Sequence, residues 1–261
     1  MPDRLLSLAT GTLPEFTPVE VTKACAEAGW PACGIWYDPE TWTDATTRDV
    51  KRTFSDTGII PLDIEVVWIQ PDGPDPNHQK LIAAGGEIGA RNVLIVSSDP
   101  DRDETKRRFE EICGWAEAAG MNACLEFLPI TEIKTLQDAL DVLNDVDHPA
   151  ARLLVDPTHL ARSGGHPSLL KDVSPDLLSY AQFCDGVAAL ADNDIQTILN
   201  EAVDGRLLPG EGALPIAELL AVLPADLPLA VELRSKALRD SYPDPVDRAK
   251  AVLDATKKYL G

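Results

Sequence analysis

The chain has 261 residues, of which 44% are hydrophobic and 25% are charged, so it can bury a sizeable core and its length suits one large α/β domain as well as two small ones. Aspartate and glutamate total 43 against 23 lysines and arginines, and the resulting formal charge of −20 disfavours binding to nucleic acid or to an anionic membrane. The apolar runs are too short to span a bilayer and the first residues lack the pattern of a signal peptide, so we expect a cytoplasmic protein.

Eight short apolar runs alternate with helical patterns, and most successive runs are about 30 residues apart, the length of one strand–helix unit. In chain order the runs are residues 5–9, 32–37, 62–69, 92–98, 123–128, 152–156, 180–185 and 229–234. Between the runs, apolar residues recur at helical spacing, as at Val21, Ala24, Cys25 and Ala28. Several of these helical patterns stop at a glycine, which supplies the left-handed residue that ends a helix.

These eight units predict an α/β fold, namely a (β/α)8 TIM barrel that forms a single domain over residues 1–261. Barrel strands are buried on both faces, which explains why the runs are apolar almost throughout. An open doubly wound sheet is the alternative, but the segment LATGTLPEF after the first run lacks the glycine-rich phosphate loop typical of that fold.

The distance from the seventh run to the eighth is nearly twice the usual spacing. The extra residues, about 186–213, follow the carboxyl end of a predicted strand and include EAVDGRLLPGEGALP. Barrel enzymes carry their chemistry on that face. A long loop with several glycines and prolines in this position is therefore a candidate lid or substrate clamp.

Four polar residues stand late in the fifth to eighth runs: Glu126, Asp156, Gln182 and Glu232. Burying three carboxylates together costs several kcal/mol per charge unless a cation compensates them, and oxygen ligands suit Mg²⁺ or Mn²⁺ better than Zn²⁺. Taken singly, a glutamate or aspartate at a strand end is more often a helix N-cap, a salt-bridge partner or a solvated carboxylate than a metal ligand. The coincidence of these residues on four adjacent strands is what predicts a metal site.

His159 follows Asp156 by three residues, just past the same predicted strand. A histidine there can donate a hydrogen bond to a substrate or carry a proton, although a loop histidine packed on its neighbours explains it equally well. We expect His78 and His148 to lie at the surface. His166 either lines the pocket or starts a helix.

Four further residues are candidate substrate contacts. Trp36 and Trp68 stand late in the second and third runs, where an aromatic face packs either against a sugar or against the end of the barrel core. Glu65 either bonds a substrate hydroxyl or belongs to the polar interior of the barrel. Arg206 either binds a hydroxyl, carboxylate or phosphate, or is a surface arginine on a mobile loop.

This set of residues resembles the xylose isomerase-like TIM-barrel superfamily of sugar-phosphate isomerases and epimerases, which also contains inosose-type and dehydroshikimate-type dehydratases. The resemblance implies that Glu126, Asp156, Gln182 and Glu232 hold the metal ion. The Asp-x-x-His element matches Asp156 to His159, and the late arginine before a Gly-Glu-Gly turn matches Arg206. Many epimerases have histidine where this chain has Gln182, which leaves the reaction type more open than the metal.

The resemblance further implies one divalent ion, Mn²⁺ or Mg²⁺ first and Co²⁺ or Zn²⁺ as alternatives. The implied chemistry is proton transfer next to a carbonyl through a metal-stabilised enediolate, with Glu126 and Glu232 as base and acid. Return of the proton makes an isomerase or epimerase of a keto sugar or related polyol. Loss of a β-hydroxyl, with His159 as base or acid, makes a dehydratase of a hydroxy-ketone instead.

Two other classes of protein are alternatives to these enzymes. An apurinic-site endonuclease shares the fold superfamily, but four histidines and the charge of −20 argue against its several metals and basic groove. A non-enzymatic partner subunit is the other alternative, and turnover by the pure protein would exclude it. The resemblance is also compatible with a homo-oligomer.

Overall fold

The computed structural model describes residues 4–192 and 194–261, and within these ranges the eight apolar runs form eight parallel strands. The strands are β1 (Leu6–Leu8), β2 (Ala32–Trp36), β3 (Ile60–Ile69), β4 (Asn92–Ser97), β5 (Asn122–Glu126), β6 (Ala151–Leu154), β7 (Ala181–Phe183) and β8 (Leu229–Val231). They are hydrogen-bonded in the order β6-β5-β4-β3-β2-β1-β8-β7. The backbone amide of Gln182 donates to the carbonyl oxygen of Val155 at 2.9 Å, and this hydrogen bond links the two ends of the sheet. The predicted (β/α)8 barrel is confirmed.

Ten α-helices are described, and most of them connect one strand to the next. They are α1 (Pro18–Ala28), α2 (Asp44–Thr57), α3 (Pro76–Ile88), α4 (Arg102–Ala118), α5 (Leu136–Val146), α6 (Pro157–Arg162), α7 (Ile195–Asp204), α8 (Ile216–Val222), α9 (Lys236–Ser241) and α10 (Pro245–Leu260). Capping boxes at Thr17 and Thr43 start α1 and α2, since each threonine side chain accepts from an amide that has no partner within the helix. Both helices end at a glycine with positive φ, Gly29 and Gly58, in agreement with the prediction that several helices stop at a glycine.

The core has two layers because alternate strand residues face opposite sides of the sheet. One layer lies between the strands and the surrounding helices and contains, for example, Val231. The other fills the barrel and includes Ala230, Leu154 and Cys124. By the same alternation Glu232 lies over the barrel interior, two residues beyond Ala230. The strands thus carry polar residues at their carboxyl ends, above the apolar layer that lies inside the barrel.

One prediction about the surface is wrong. His78 lies in α3 and is 7% exposed, because it shares the inward face of this helix with Leu81 and Ile82 at helical spacing. Burial lowers its pKa, which favours the neutral imidazole. Among the residues described here, no helix has both the length and the apolar composition needed to cross a membrane.

Candidate active site

Four neighbouring strands deliver the predicted metal ligands to the same end of the barrel. Glu126 is the last residue of β5, Asp156 lies two residues after β6 and caps α6, Gln182 is the middle residue of β7, and Glu232 follows β8. Each is at most 7% exposed. The parallel pairing explains this convergence, since the carboxyl ends of parallel strands meet at one edge.

Glu126, Asp156 and His159 each offer one ligand atom, and these atoms lie within 4.8 Å of one another. The sequence predicted His159 as a proton carrier, and its position beside two carboxylates makes it a candidate ligand as well. Oε1 of Glu126 and both amide atoms of Gln182 are buried without a hydrogen-bond partner among the described residues. Buried polar atoms normally have partners, so these oxygens fit a divalent cation.

Asp156 is held in place by the first turn of α6. Its Oδ1 accepts the amide of Thr158 at 2.6 Å and that of His159 at 3.1 Å, which satisfies two donors that the short helix leaves free. The hydroxyl of Thr158 donates to the same oxygen. This cap fixes the carboxylate and keeps His159 next to it. The geometry of the first helical turn therefore explains the Asp-x-x-His spacing.

Arg206 is 2% exposed and lies among the carboxylates, so it is not a surface arginine. Its Nη1 contacts Oδ2 of Asp156 and lies 3.2 Å from Oε2 of Glu232. Its Nε donates to the carbonyl oxygen of Ala202 at 3.2 Å, and its Nη2 lies 3.4 Å from Nε2 of His159. All three nitrogens are therefore engaged by the protein itself.

Burial and charge pull the pKa values of these groups apart. Burial, together with the charges of Asp156 and Glu232, raises the pKa of Glu126 well above its usual range. Burial would also raise the pKa of Asp156, but the charge of Arg206 and the hydrogen bond from the Thr158 hydroxyl outweigh it and lower that pKa. Burial lowers the pKa of His159, which favours the neutral ring. Two neighbouring carboxyl groups whose pKa values are shifted in opposite directions suit acid–base chemistry.

The mouth of the barrel is lined by aromatic side chains. Trp36 ends β2 and Trp68 lies near the end of β3, with exposed fractions of 41% and 37%. The indole nitrogen of Trp68 donates to Oγ of Ser98 at 2.9 Å. Glu65, also on β3, is 4% exposed, and its Oε1 has no partner in the described part of the chain. The Glu65–Val66 peptide bond is cis.

The long loop between β7 and β8 is tied to the barrel. Asp185, two residues after the end of β7, accepts the backbone amides of Gly210, Gly212 and Leu214 at 3.0 to 3.1 Å. The loop carries α7 and also Arg206, whose positively charged guanidinium lies among the carboxylates. It was predicted as a lid or a substrate clamp, and its Gly-Glu-Gly turn is held down by this one carboxylate.

Two residues of the site escaped the sequence analysis. Asp63 is fully buried on β3, both of its carboxylate oxygens lack a partner among the described residues, and burial with the nearby Glu232 raises its pKa to about 7. Arg234 lies at the mouth, where its Nε is 3.4 Å from Oε1 of Glu232. Strand alternation was the available signal, since each stands two residues from a predicted site residue, Glu65 or Glu232.

Comparison with known proteins agrees with this architecture. The profile of the family described as xylose isomerase-like TIM barrel matches residues 22–259. The chain is 26% identical over 252 residues to a 3-dehydroshikimate dehydratase of Pseudomonas putida; the match covers 88% of this chain and 37% of that protein. The chain therefore spans little more than a third of this curated relative.

Solved structures share the fold over nearly the whole chain. One is the IOLI protein with a bound zinc atom, at a TM-score of 0.79 and 18% identity, covering 98% of this chain and 97% of that one. Another is a D-allulose 3-epimerase from Methylomonas sp., at a TM-score of 0.70 and 15% identity, covering 99% of each chain. At these identities the likeness shows the barrel architecture alone.

Proposed function

Because the chain belongs to the xylose isomerase-like TIM-barrel family, we propose that it is a divalent-metal-dependent enzyme that moves a proton next to the carbonyl group of a small polyhydroxylated compound. The observation that carries the proposal is the grouping of Glu126, Asp156 and His159 within 4.8 Å, beside amide and carboxylate atoms that no described residue satisfies. Such a grouping is costly without a cation.

Glu126, Asp156, Gln182 and Glu232 would hold the ion, and His159 is within reach to join them. Mn²⁺ or Mg²⁺ suits the carboxylate and amide oxygens, whereas the imidazole nitrogen also admits Co²⁺ or Zn²⁺. When bound, a divalent ion supplies Lewis-acid polarisation of the substrate carbonyl, which acidifies the neighbouring C–H group. The zinc atom bound by the IOLI protein is consistent with this choice of metals.

The protein's own side chains move the proton. Glu126 and Glu232 approach from β5 and β8, the two outer strands of the four, so one carboxylate takes the proton from carbon and the other returns it. Trp36, Trp68 and Glu65 line the approach and orient the hydroxylated substrate. Arg206 contacts both Asp156 and Glu232 and so fixes the position of the two carboxylates relative to each other. With the proton returned to carbon, the reaction is the isomerisation or epimerisation of a keto sugar or related polyol.

Dehydration of a hydroxy-ketone is the second candidate, and one specific observation favours it: the curated relative at 26% identity is a dehydratase. The same first step applies, but a β-hydroxyl then leaves. His159, a neutral imidazole 3.4 Å from the guanidinium of Arg206, can take up a proton and pass it to that hydroxyl.

One experiment tests the metal-dependent chemistry and separates its two outcomes. The Mn²⁺-loaded protein is incubated in D₂O with keto sugars, inososes and 3-dehydroshikimate, and followed by NMR and ultraviolet absorbance. An isomerase or epimerase incorporates deuterium without losing water, whereas a dehydratase forms a conjugated, absorbing product. EDTA-treated protein and Glu126→Gln are the controls and should be inactive. Absence of exchange and of product with Mn²⁺, Mg²⁺, Co²⁺ and Zn²⁺ alike would refute the proposal.

A further inference from the structure

Two arginines reach the candidate site, and they differ in how many of their guanidinium nitrogens remain free to bind a ligand. Arg206 is 2% exposed and uses all three of its nitrogens on protein groups. The side chain of Arg234 is 26% exposed, and its one polar contact within the described part of the chain joins Nε to Oε1 of Glu232 at 3.4 Å. Both terminal nitrogens of Arg234 are therefore available to a ligand.

The position of Arg234 is built by three consecutive strands, β8, β1 and β2. The arginine follows β8, and its guanidinium carbon lies 5.8 Å from the ring centre of Trp36, which ends β2. Gly11 follows β1, and a Cβ there would come within 2.7 Å of both Nε of Arg234 and Oε1 of Glu232. The absence of a side chain at Gly11 leaves the room that this arginine occupies.

Packing on an aromatic face orients a guanidinium and leaves its edge free to donate two parallel hydrogen bonds, the arrangement that matches a carboxylate. The surroundings argue for a small anion of single charge. Glu232, whose Oε1 lies 3.4 Å from Nε of Arg234, already balances part of the positive charge of the guanidinium and so disfavours a more highly charged anion. Trp36 is 41% exposed, so the part of its ring that Arg234 does not cover is open to the body of the same ligand.

We propose that Arg234 and Trp36 form a carboxylate subsite, so that the substrate of the proposed reaction is a hydroxy-ketone that carries a carboxylate rather than a neutral sugar. The proposal rests on the proposed function, since it concerns the same barrel mouth. The metal-binding residues lie on β5 to β8 and this subsite on β8 to β2, so a substrate would extend across the mouth from one to the other.

A matched pair of probes isolates the carboxylate. Catechol and 3,4-dihydroxybenzoate share two adjacent oxygens that a metal ion can bind, and they differ only in the carboxylate. Calorimetry on the Mn²⁺-loaded protein should show the benzoate binding about 10- to 100-fold more tightly, the range expected for hydrogen bonds to a charged group. In Arg234→Gln this preference should vanish while the affinity for catechol stays unchanged. In Arg234→Lys it should be intermediate.

Arg52→Gln is the control for net charge, because Arg52 is an exposed arginine on α2 whose described partner is Asp49. Its preference for the benzoate should equal that of the wild type. Trp36→Leu provides a second variant at the subsite and should reduce the preference several-fold, even if the Arg234 variants fold poorly.

The outcomes separate the two proposals. Equal affinities for both probes in the wild-type protein, or a preference that survives Arg234→Gln, would overturn the carboxylate subsite. Loss of both affinities in Arg234→Gln would also overturn it, because the arginine would then only position Glu232. If neither probe binds better with Mn²⁺ than without it, the proposed metal-dependent function itself fails.

Discussion

Arg206 and Glu232 form a buried ion pair of 3.2 Å, and the same guanidinium nitrogen contacts Asp156. The loop between β7 and β8 thus places one positive charge between two carboxylates that belong to different strands. Without it, two buried negative charges would face each other uncompensated.

Replacing Arg206 by Met should therefore destabilise the metal-free protein by about 3 to 5 kcal/mol, the usual cost of removing one partner from a buried ion pair. Mn²⁺ should offset part of this loss, because a cation bound to the folded state stabilises it. Urea unfolding with and without Mn²⁺ measures both effects. Arg52→Met on the surface of α2 is the control and should change little. A metal-free variant that unfolds at the wild-type urea concentration would contradict this account.

Two isosteric variants distinguish a carboxylate that lacks a partner from one that has two. Glu126→Gln replaces a buried carboxyl group whose Oε1 has no donor and whose ionised form burial disfavours, so the metal-free protein should be at least as stable as the wild type. Glu232→Gln removes the charge that faces Arg206 and Arg234, so the metal-free protein should lose stability. Each should weaken Mn²⁺ binding at least about tenfold in calorimetry. Undiminished Mn²⁺ affinity in both variants would exclude these carboxylates as ligands.

The fold was predictable from the sequence because a barrel strand is buried on both faces and therefore reads as an unbroken apolar run. All eight apolar runs form strands, and the polar residues late in four of the runs predicted a site at one end of the barrel. Such a pattern constrains topology strongly, since parallel strands joined by helices have few ways to close.

The contacts of the site were less predictable, because they depend on how loops fold back. Nothing in the sequence around Arg206 shows that it is buried, and His78 stands in a polar segment although its helix turns it inward. Asp63 and Arg234 were passed over because a single polar residue in or after a strand has several explanations. Counting in twos from Glu65 and Glu232 would have put both on the interior side.

The buried carboxyl of Asp63 should make stability depend on pH. Its pKa is raised to about 7 by burial and by Glu232, against roughly 3.9 for an unfolded chain. Between these values the folded protein binds more protons than the unfolded one, so stability falls as pH rises and the loss is complete above pH 7. A shift of this size corresponds to about 4 kcal/mol.

Asp63→Asn should abolish this dependence, so that its free energy of unfolding, relative to the metal-free wild type, rises steadily from pH 4.5 to pH 7.5 in urea titrations. Asp49→Asn removes an exposed carboxylate on α2 and should follow the wild-type curve. Parallel curves for Asp63→Asn and the wild type would mean that Asp63 is ionised throughout that range and that an unseen partner compensates it.

The loop that carries Arg206 should depend on Gly212. Asp185 accepts the amides of Gly210 and Gly212, and a Cβ at position 212 would collide with Oδ1 of Asp185 and with the carbonyl oxygen of Gly186. Gly212→Ala should therefore release the turn, cost about 1 to 3 kcal/mol of stability and expose residues 186–213 to proteolysis.

Gly114→Ala is the matched control, since Gly114 lies within α4 and a Cβ there would meet no atom within 4 Å. It should stabilise the protein by about 0.5 to 1 kcal/mol, because alanine loses less backbone entropy in a helix than glycine does. The opposite signs separate the collision at Asp185 from any general effect of an added methyl group. Equal proteolysis of both variants within residues 186–213 would show that Asp185 does not hold the loop, and that Arg206 is kept among the carboxylates by its own ion pairs.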